Sequence, residues 1–493
     1  MEASQAFRYA GLADVLEAQI RSGSFRAGDR LPSIRDLRVQ TGLSISTVYH
    51  AFVELEKRGL IEPRERSGYF VKPLLQGLLP APQLPVWRLA PRKVNVSNLA
   101  FTLVEAMGDP GILQLGGALI APELLPLKEI GAILKTASGA QLQASLAGYE
   151  HYLGNADLRR QITQRLAPLC GANSPEQVVI TNGCIEAVAL GLKAVTQPGQ
   201  TVLVESPTFP WFLQIIEDLK LHALEVPADP RTGVDLRVLE RSVREHDVKA
   251  CILIANFNNP LGFLLTNEKK RAMVQLLNAL EVPIVEDDIY GELYFGASRP
   301  LPLKAFDRRD LVLYCSSFSK SLSPGLRIGW IQAGRFFQGV RRLKTNQAIS
   351  APGLTQWAAA RYLRGGNYER HLRGLRTHLK NQVGNTGLAI ARYFPQGTKI
   401  SAPHGGLTLW VELDPRVDSL ELFRRALEGR IAVMPGAICA SGRAYRHCIR
   451  ISCGLPYSDK IDQGLQTLAA IVRDLCGAAN RPRPAVKAEP RTS

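Results

Sequence analysis

A lysine stands among hydroxyl side chains in Ser316-Ser317-Phe318-Ser319-Lys320-Ser321-Leu322-Ser323, and Arg327 follows on the same short stretch. An amine that forms an imine with an aldehyde needs a rigid loop. A phosphate attached to that aldehyde needs hydrogen-bond donors and a guanidinium beside it. Pyridoxal 5′-phosphate (PLP) combines the two groups, and proteins hold it through a lysine. Ser-x-x-Lys alone is a common surface loop, so the rest of the chain has to decide.

Stepping upstream, short apolar runs at residues 178–181, 201–204, 250–254, 282–285 and 311–314 alternate with helical stretches. Runs of that length suit strands covered on both faces, which predicts an α/β domain around a mostly parallel sheet with its function at the strand ends. Those ends carry chemistry. Thr181-Asn182-Gly183-Cys184 is a glycine turn opening a helix, whose free amides suit a phosphate. Phe209 and Trp211 offer flat faces for a ring. Asn259, Asp287 and Tyr290 follow the next two runs. A carboxylate facing a pyridine nitrogen keeps it protonated, and a phenol and an amide can bond the ring's phenolic oxygen. Lys320 follows the fifth run. Each motif is common alone; their order along the chain is not.

The first seventy residues are a separate pattern. Leu12, Val15, Leu16 and Ile20 recur at helical spacing. Pro32 and Ser33 open a second helix that Gly42 closes, and Ser44 caps a third running through Val48, Tyr49, Phe52, Leu55 and Leu60. That is a helix-turn-helix, with residues 61–64 and 69–71 as a two-stranded wing turning at Arg66-Ser67-Gly68. Arg35 can grip phosphate or guanine, Ser44, Ser46 and Thr47 can donate to phosphates at a helix N-terminus, and Arg64 and Arg66 flank the wing.

Residues 28–37, 44–49 and 59–69 resemble the winged helix-turn-helix of the GntR regulators. The resemblance implies that Arg35 and the first turn of the third helix touch double-stranded operator DNA and that Gly68 approaches the minor groove. Ile45 stands where that family usually has arginine. Residues from about 100 to about 476 resemble the fold-type I aminotransferases, and with its head the whole chain is similar to the MocR subgroup of GntR regulators. The resemblance implies that Lys320 is the Schiff-base lysine and that Asp287 pairs with the pyridine nitrogen. Tyr290 and Asn259 would bond the phenolic oxygen. Ser317, Ser319, Arg327 and the Gly183-Cys184 turn would hold the phosphate, and Phe209 would stack on the ring. Arg450 matches an arginine that clamps an amino acid's α-carboxylate, and Tyr149 matches a tyrosine that reaches a phosphate from the partner subunit. Cys184 and Ile185 replace the family's Ser or Thr and Gln, and Phe209 replaces the commoner Tyr.

The implied division is a DNA-binding domain over 1–73, a proline-rich linker containing Trp87 over 74–98, a PLP-binding effector and dimerisation domain with a small C-terminal α+β part over 99–476, and a disordered tail over 477–493. A chain of 493 residues with 46% hydrophobic and 21% charged residues fits a multidomain globular protein. The start shows no signal peptide and no run is long enough to span a membrane, so a cytoplasmic protein is expected. Eight scattered cysteines form no Cys-x-x-Cys pair, so neither metal nor disulfides are expected. The formal charge is +16, yet residues 1–75 hold eleven Lys+Arg against nine Asp+Glu, net +2. The excess lies further on. Residues 335–380 hold ten Lys+Arg against one Asp+Glu, a cluster able to extend DNA contact.

Two functions follow. The chain is a PLP-dependent DNA-binding regulator that senses an amino acid or amine through aldimine chemistry, or an active aminotransferase with an appended DNA-binding domain. Nothing in transamination requires a winged helix, which favours the regulator, with at most a half-reaction or weak turnover. A homodimer is implied, possibly with swapped heads.

Overall fold

The computed structural model describes residues 2–21, 24–25, 29–64, 67–72, 78–85, 89–95, 105, 108–171, 174–442 and 444–478. The chain forms two compact units, Met1–Leu79 and Pro80–Ser493.

In the first unit, α1 (Glu2–Arg21), α2 (Ile34–Thr41) and α3 (Ile45–Lys57) precede antiparallel strands β1 (Ile61–Arg64) and β2 (Gly68–Val71). Local chemistry sets the boundaries. The Ser33 hydroxyl accepts from the Asp36 amide while Asp36 reaches back to the Ser33 amide, a reciprocal cap. Gly42 closes α2 in the left-handed conformation. The Ser44 hydroxyl caps α3 through the Thr47 amide. Helix α3 stops at Lys57, short of Leu60, because Gly59 takes a φ of +72° and turns the chain into the wing. Leu16, Leu37, Val48, Phe52, Leu55 and Val71 make the core.

The second unit is built on a mixed sheet. Its strands are β3 (Arg92–Lys93), β5 (Val178–Thr181), β6 (Thr201–Ser206), β7 (His222–Asp229), β9 (Val248–Leu253), β10 (Ile284–Asp287), β11 (Val312–Ser317) and β12 (Gly329–Gln332). Short β4 (Leu113–Gln114) lies elsewhere, and β8 (Gly233–Val234) hangs on β7. The spatial order is β3-β7-β6-β9-β10-β11-β12-β5. Strands β7, β6, β9, β10 and β11 run parallel; β12 is antiparallel to both of its neighbours. Period-two alternation divides the side chains between two cores. Val179, Val285, Leu313 and Ile331 pack on one face against helices Cys184–Val195 and Pro210–Asp218. Val178, Ile180, Tyr314 and Trp330 pack on the other with helices Ala156–Cys170 and Gly353–Arg364. Each fully buried aliphatic side chain contributes about 1.5–3 kcal/mol, so the sheet is a stiff platform. A smaller sheet, β13 (Lys399–Ile400), β14 (Thr408–Glu412), β17 (Cys448–Ser452) and β16 (Met434–Pro435), carries Arg450. The two-residue strand β15 (Ile431–Ala432) pairs with β4.

Part of the stretch expected as a semi-stiff tether is tied down. The Pro80 carbonyl accepts from the Ile400 amide at 3.0 Å, the Gln83 amide donates to Glu412 at 2.6 Å, and Arg92–Lys93 join the sheet edge. Trp87 and the tail beyond Ala478 lie outside the described residues. No described helix is long and apolar enough to cross a membrane.

Candidate functional site

The antiparallel strand β12 creates the site. Its first residue, Gly329, pairs with Thr181 at the end of β5 and with Ser317 at the end of β11. One row of the sheet thus brings together the glycine turn after β5, the serine-lysine stretch after β11, and Arg327 just before β12. The approach is close. A Cβ at Gly329 would lie 2.4 Å from the Gly183 carbonyl carbon, and one at Gly183, whose φ is +95°, would lie 2.6 Å from Arg327 Nη2. Only glycine fits at either point. Gly183 begins helix Cys184–Val195 with no side-chain cap, so that helix N-terminus keeps its amide donors. Arg327, itself in the left-handed conformation, is exposed and donates from Nη2 to the Asn182 carbonyl at 2.5 Å. The Ser317 hydroxyl shares a 2.7 Å hydrogen bond with Ser319 Oγ and donates to the Ile328 carbonyl at 2.7 Å. Two hydroxyls, a guanidinium and an uncapped helix end therefore face one cup.

Beside the cup, Lys320 Nζ donates to the Ala118 carbonyl at 2.6 Å. Desolvation, and after it the positive charge of Arg450, lowers its amine to about 8, with Asp287 pulling the other way. Asp287 closes β10 and is buried. Its Oδ1 accepts from the Cys184 thiol at 3.2 Å and from the Ile289 amide at 3.0 Å. Burial pushes this carboxyl up to about 6 against those two bonds. Asn259 links two further groups: its Nδ2 donates to Tyr290 Oη at 3.2 Å and its Oδ1 accepts from Arg450 Nη1 at 2.7 Å. Burial raises the Tyr290 phenol, so it stays a neutral donor. Arg450 is 1% exposed; its Nη2 donates to the Gly116 carbonyl, and its Nε has no partner among the described residues.

Other expected residues lie less directly at this centre. The Phe209 ring is half-buried and stacks on Trp211 at 5.2 Å between centroids. Tyr149 is 82% exposed. Sequence reasoning missed the Cys184 thiol's service to Asp287, because the two are 103 residues apart, and the Gly116 and Ala118 carbonyls, because backbone atoms leave no side-chain signal. It also missed the network behind Asp287. Asp288 accepts from Asn256 at 2.8 Å, Tyr314 at 2.9 Å and Arg299 at 3.0 Å. Ser321 is held by Tyr368 Oη at 2.6 Å, and the His371 ring bonds its carbonyl at 2.8 Å. Asp-Asp and scattered His are bland in sequence; only the fold gives them partners. Among the described residues no cluster of His, Cys, Asp or Glu could hold a metal.

In the head, Arg35, Ser44 and Ser46 are exposed, together with Ile45 and Tyr49. Thr47 differs from expectation. It is 5% exposed, with its hydroxyl 2.8 Å from Ser44 Oγ, so it completes the cap instead of facing outward. Gly68 sits at the wing turn with a φ of +97°, and the Arg30 guanidinium lies against it, 3.2 Å from where a Cβ would stand. Arg66 and the Arg64 side chain lie outside the described residues. The basic cluster at 335–380 is not one solvated face. Lys344 is buried against Glu186 at 2.8 Å, and Arg376 pairs with Glu292 while lying 3.9 Å from the Tyr294 ring.

The residues present suit PLP: a buried amine whose free base is accessible near pH 8, a buried carboxylate, a neutral phenol, and a cup that a single methyl would obstruct. Comparison with known proteins agrees. The family described as aminotransferase class I and II matches residues 124–468, and bacterial regulatory proteins of the gntR family match residues 8–71. An HTH-type transcriptional regulator of Escherichia coli, YdcR, is 40% identical over 95% of this chain and 99% of its own length. Among solved structures, the α-aminoadipate aminotransferase LysN of Thermus thermophilus, complexed with N-(5′-phosphopyridoxyl)-L-leucine, is 29% identical. It covers 76% of this chain and 95% of its own, with a TM-score of 0.71. The Pyrococcus horikoshii kynurenine aminotransferase is 27% identical over 77% and 95%, also with a TM-score of 0.71.

Proposed function

The chain belongs to the aminotransferase class I and II family and carries a gntR-family head, and from that premise we propose that this transcriptional regulator senses an amino acid or amine at the Lys320 centre and passes the result to the head. The observation that carries this reading is the chain of hydrogen bonds Arg450–Asn259–Tyr290. It couples a buried guanidinium suited to a carboxylate to the groups suited to a ring oxygen.

PLP, when bound, supplies an aldehyde and an electron-withdrawing ring. The protein does the rest. Gly183, the Cys184 amide, Ser317, Ser319 and Arg327 hold the phosphate. Phe209 covers a ring face. Asp287, kept in place by the Cys184 thiol and the Ile289 amide, holds a proton at the pyridine nitrogen. Tyr290 and Asn259 donate to the ring oxygen. Lys320 Nζ would be the attachment point, and its amine, lowered to about 8, can hold or give up a proton there. Arg450 grips the ligand's carboxylate, its fork geometry matching two oxygens. Exposed Tyr149 supports a homodimer in which it reaches the other copy's phosphate. Arg35, Ser44, Ser46 and Gly68, with Arg64 and Arg66, meet operator DNA; Thr47 sets the helix end that presents them. A ligand changes DNA affinity only by binding one arrangement of the heads better than another.

The test uses an operator fragment selected from random DNA. Cofactor-loaded protein should bind it, and one amino acid or amine in a panel should change that affinity while shifting the visible absorbance of the bound cofactor. Turnover at ordinary enzyme rates with no operator binding would defeat the proposal.

A further inference from the structure

Outside the Lys320 centre, helix Asn267–Ala279 and the turn after the short helix Leu303–Phe306 enclose a groove of about 400 Å³. That is within the size range of small-molecule sites. Arg271, Gln275, Asn278, Phe306, Arg308 and Arg309 line it. Three guanidinium groups around one cavity repel one another unless something negative sits among them. Arg309 is compensated: it pairs with Glu281, and its Nη1 donates to the Asn278 carbonyl at 3.0 Å. Arg271 and Arg308 make no ion pair with any described residue; the charge of Arg271 reaches only as far as helping to lower the carboxyl of the exposed Glu268.

A second observation is independent of that charge. The Arg271 guanidinium lies 5.2 Å from the centroid of the Phe306 ring, forming a flat platform. One wall is set by Asn278, which is 6% exposed and whose Nδ2 donates to Asp307 Oδ1 at 3.3 Å.

We propose that this groove is a second ligand site that binds a 5′-mononucleotide. The phosphate meets Arg308 and the free edge of Arg271, where planar guanidinium groups match phosphate oxygens. The base lies against the Arg271–Phe306 platform. A bare anion would leave the platform unused. The site gives the regulator an input separate from the Lys320 centre.

The test is calorimetric titration of the full-length, cofactor-loaded protein, so that the phosphate cup near Lys320 is already filled. AMP, GMP, CMP, adenosine and inorganic phosphate are each titrated. At least one nucleotide should saturate one site per chain. Arg271→Ala with Arg308→Ala, both on exposed side chains, should weaken it about tenfold or more. Adenosine and inorganic phosphate should each bind far more weakly. No saturation by any nucleotide up to about 1 mM, or unchanged binding to the double variant, overturns the proposal. So does phosphate binding as tightly as a nucleotide, which marks a simple anion patch. Displacement of the nucleotide by duplex DNA in the parent but not in the double variant also overturns it, assigning the groove to the DNA backbone.

Discussion

Replacing Arg450 by leucine should erase the site's preference for a carboxylate while leaving its handling of a plain amine nearly intact. The magnitude follows from the present engagement of the guanidinium. Nη1 gives one of its two N–H groups to Asn259 Oδ1 at 2.7 Å and Nη2 one of its two to the Gly116 carbonyl, while Nε–H has no partner among the described residues. A ligand carboxylate that gains one charge-assisted hydrogen bond there gains about 1.5–3 kcal/mol, a factor of about 10 to 150 in affinity. A carboxylate that takes two of the remaining N–H groups at once would move toward the figure of about 2–5 kcal/mol found for truncating one partner of a buried, hydrogen-bonded charge pair. The assay is an absorbance titration of the cofactor-loaded protein with paired ligands, an amino acid and the amine left by removing its carboxyl group. The parent should prefer the acid by roughly that factor, and the variant should show a ratio near one. Loss of acid and amine binding in equal measure would mean that Arg450 supports the fold and does not read the ligand. An unchanged ratio would place the carboxylate elsewhere.

Other outcomes follow from the same geometry. Uptake of PLP by the cofactor-free protein should accelerate with rising pH through a midpoint near 8. The Lys320 amine is held below its ordinary 10.5, so it is protonated and unreactive below about 8 and free above it; stopped-flow absorbance checks this, and a midpoint near 10.5 would contradict it. Gly183→Ala forces a side chain into a φ of +95° and against Arg327 Nη2, at a cost of about 1–3 kcal/mol in strain. Cofactor affinity measured by fluorescence titration should fall about tenfold or more, and an unchanged value would remove Arg327 and Gly183 from the phosphate cup. Arg35→Ala should weaken operator binding and lower the slope of log affinity against log salt by about one. An unchanged slope would take Arg35 out of contact with phosphate.

How far the fold was legible depended on what each element needed from distant residues. The run at 178–181 coincides with β5, and the caps at Ser33, Ser44 and Gly42 act as their types suggest, because both signals are local. Strand β7 was missed: its buried positions are interrupted by the partly exposed His222, Glu225 and Pro227, tolerated because only the two-residue strands β3 and β8 pair with its outer side. Strand β12 was missed for another reason. Gly329–Gln332 is four residues long and directly follows the Arg327 loop, so no turn separates it from the motif it serves. That omission hid the row Thr181–Gly329–Ser317, the feature that assembles the cup. Within the site, residue types announced the amine, the acid and the buried guanidinium, whereas the backbone carbonyls of Gly116 and Ala118 left no trace in the sequence. Charge counted along 335–380 cannot tell that Lys344 is buried against Glu186, which only the fold shows.

One comparison bears on the whole account: operator affinity with and without the active ligand, measured by fluorescence anisotropy for the parent and for Lys320→Ala. The account predicts that both proteins grip the DNA, that the ligand shifts the parent's affinity, and that the variant, colourless near roughly 420 nm, gives the same affinity at every ligand concentration. A variant whose affinity still moves with ligand as the parent's does would contradict it.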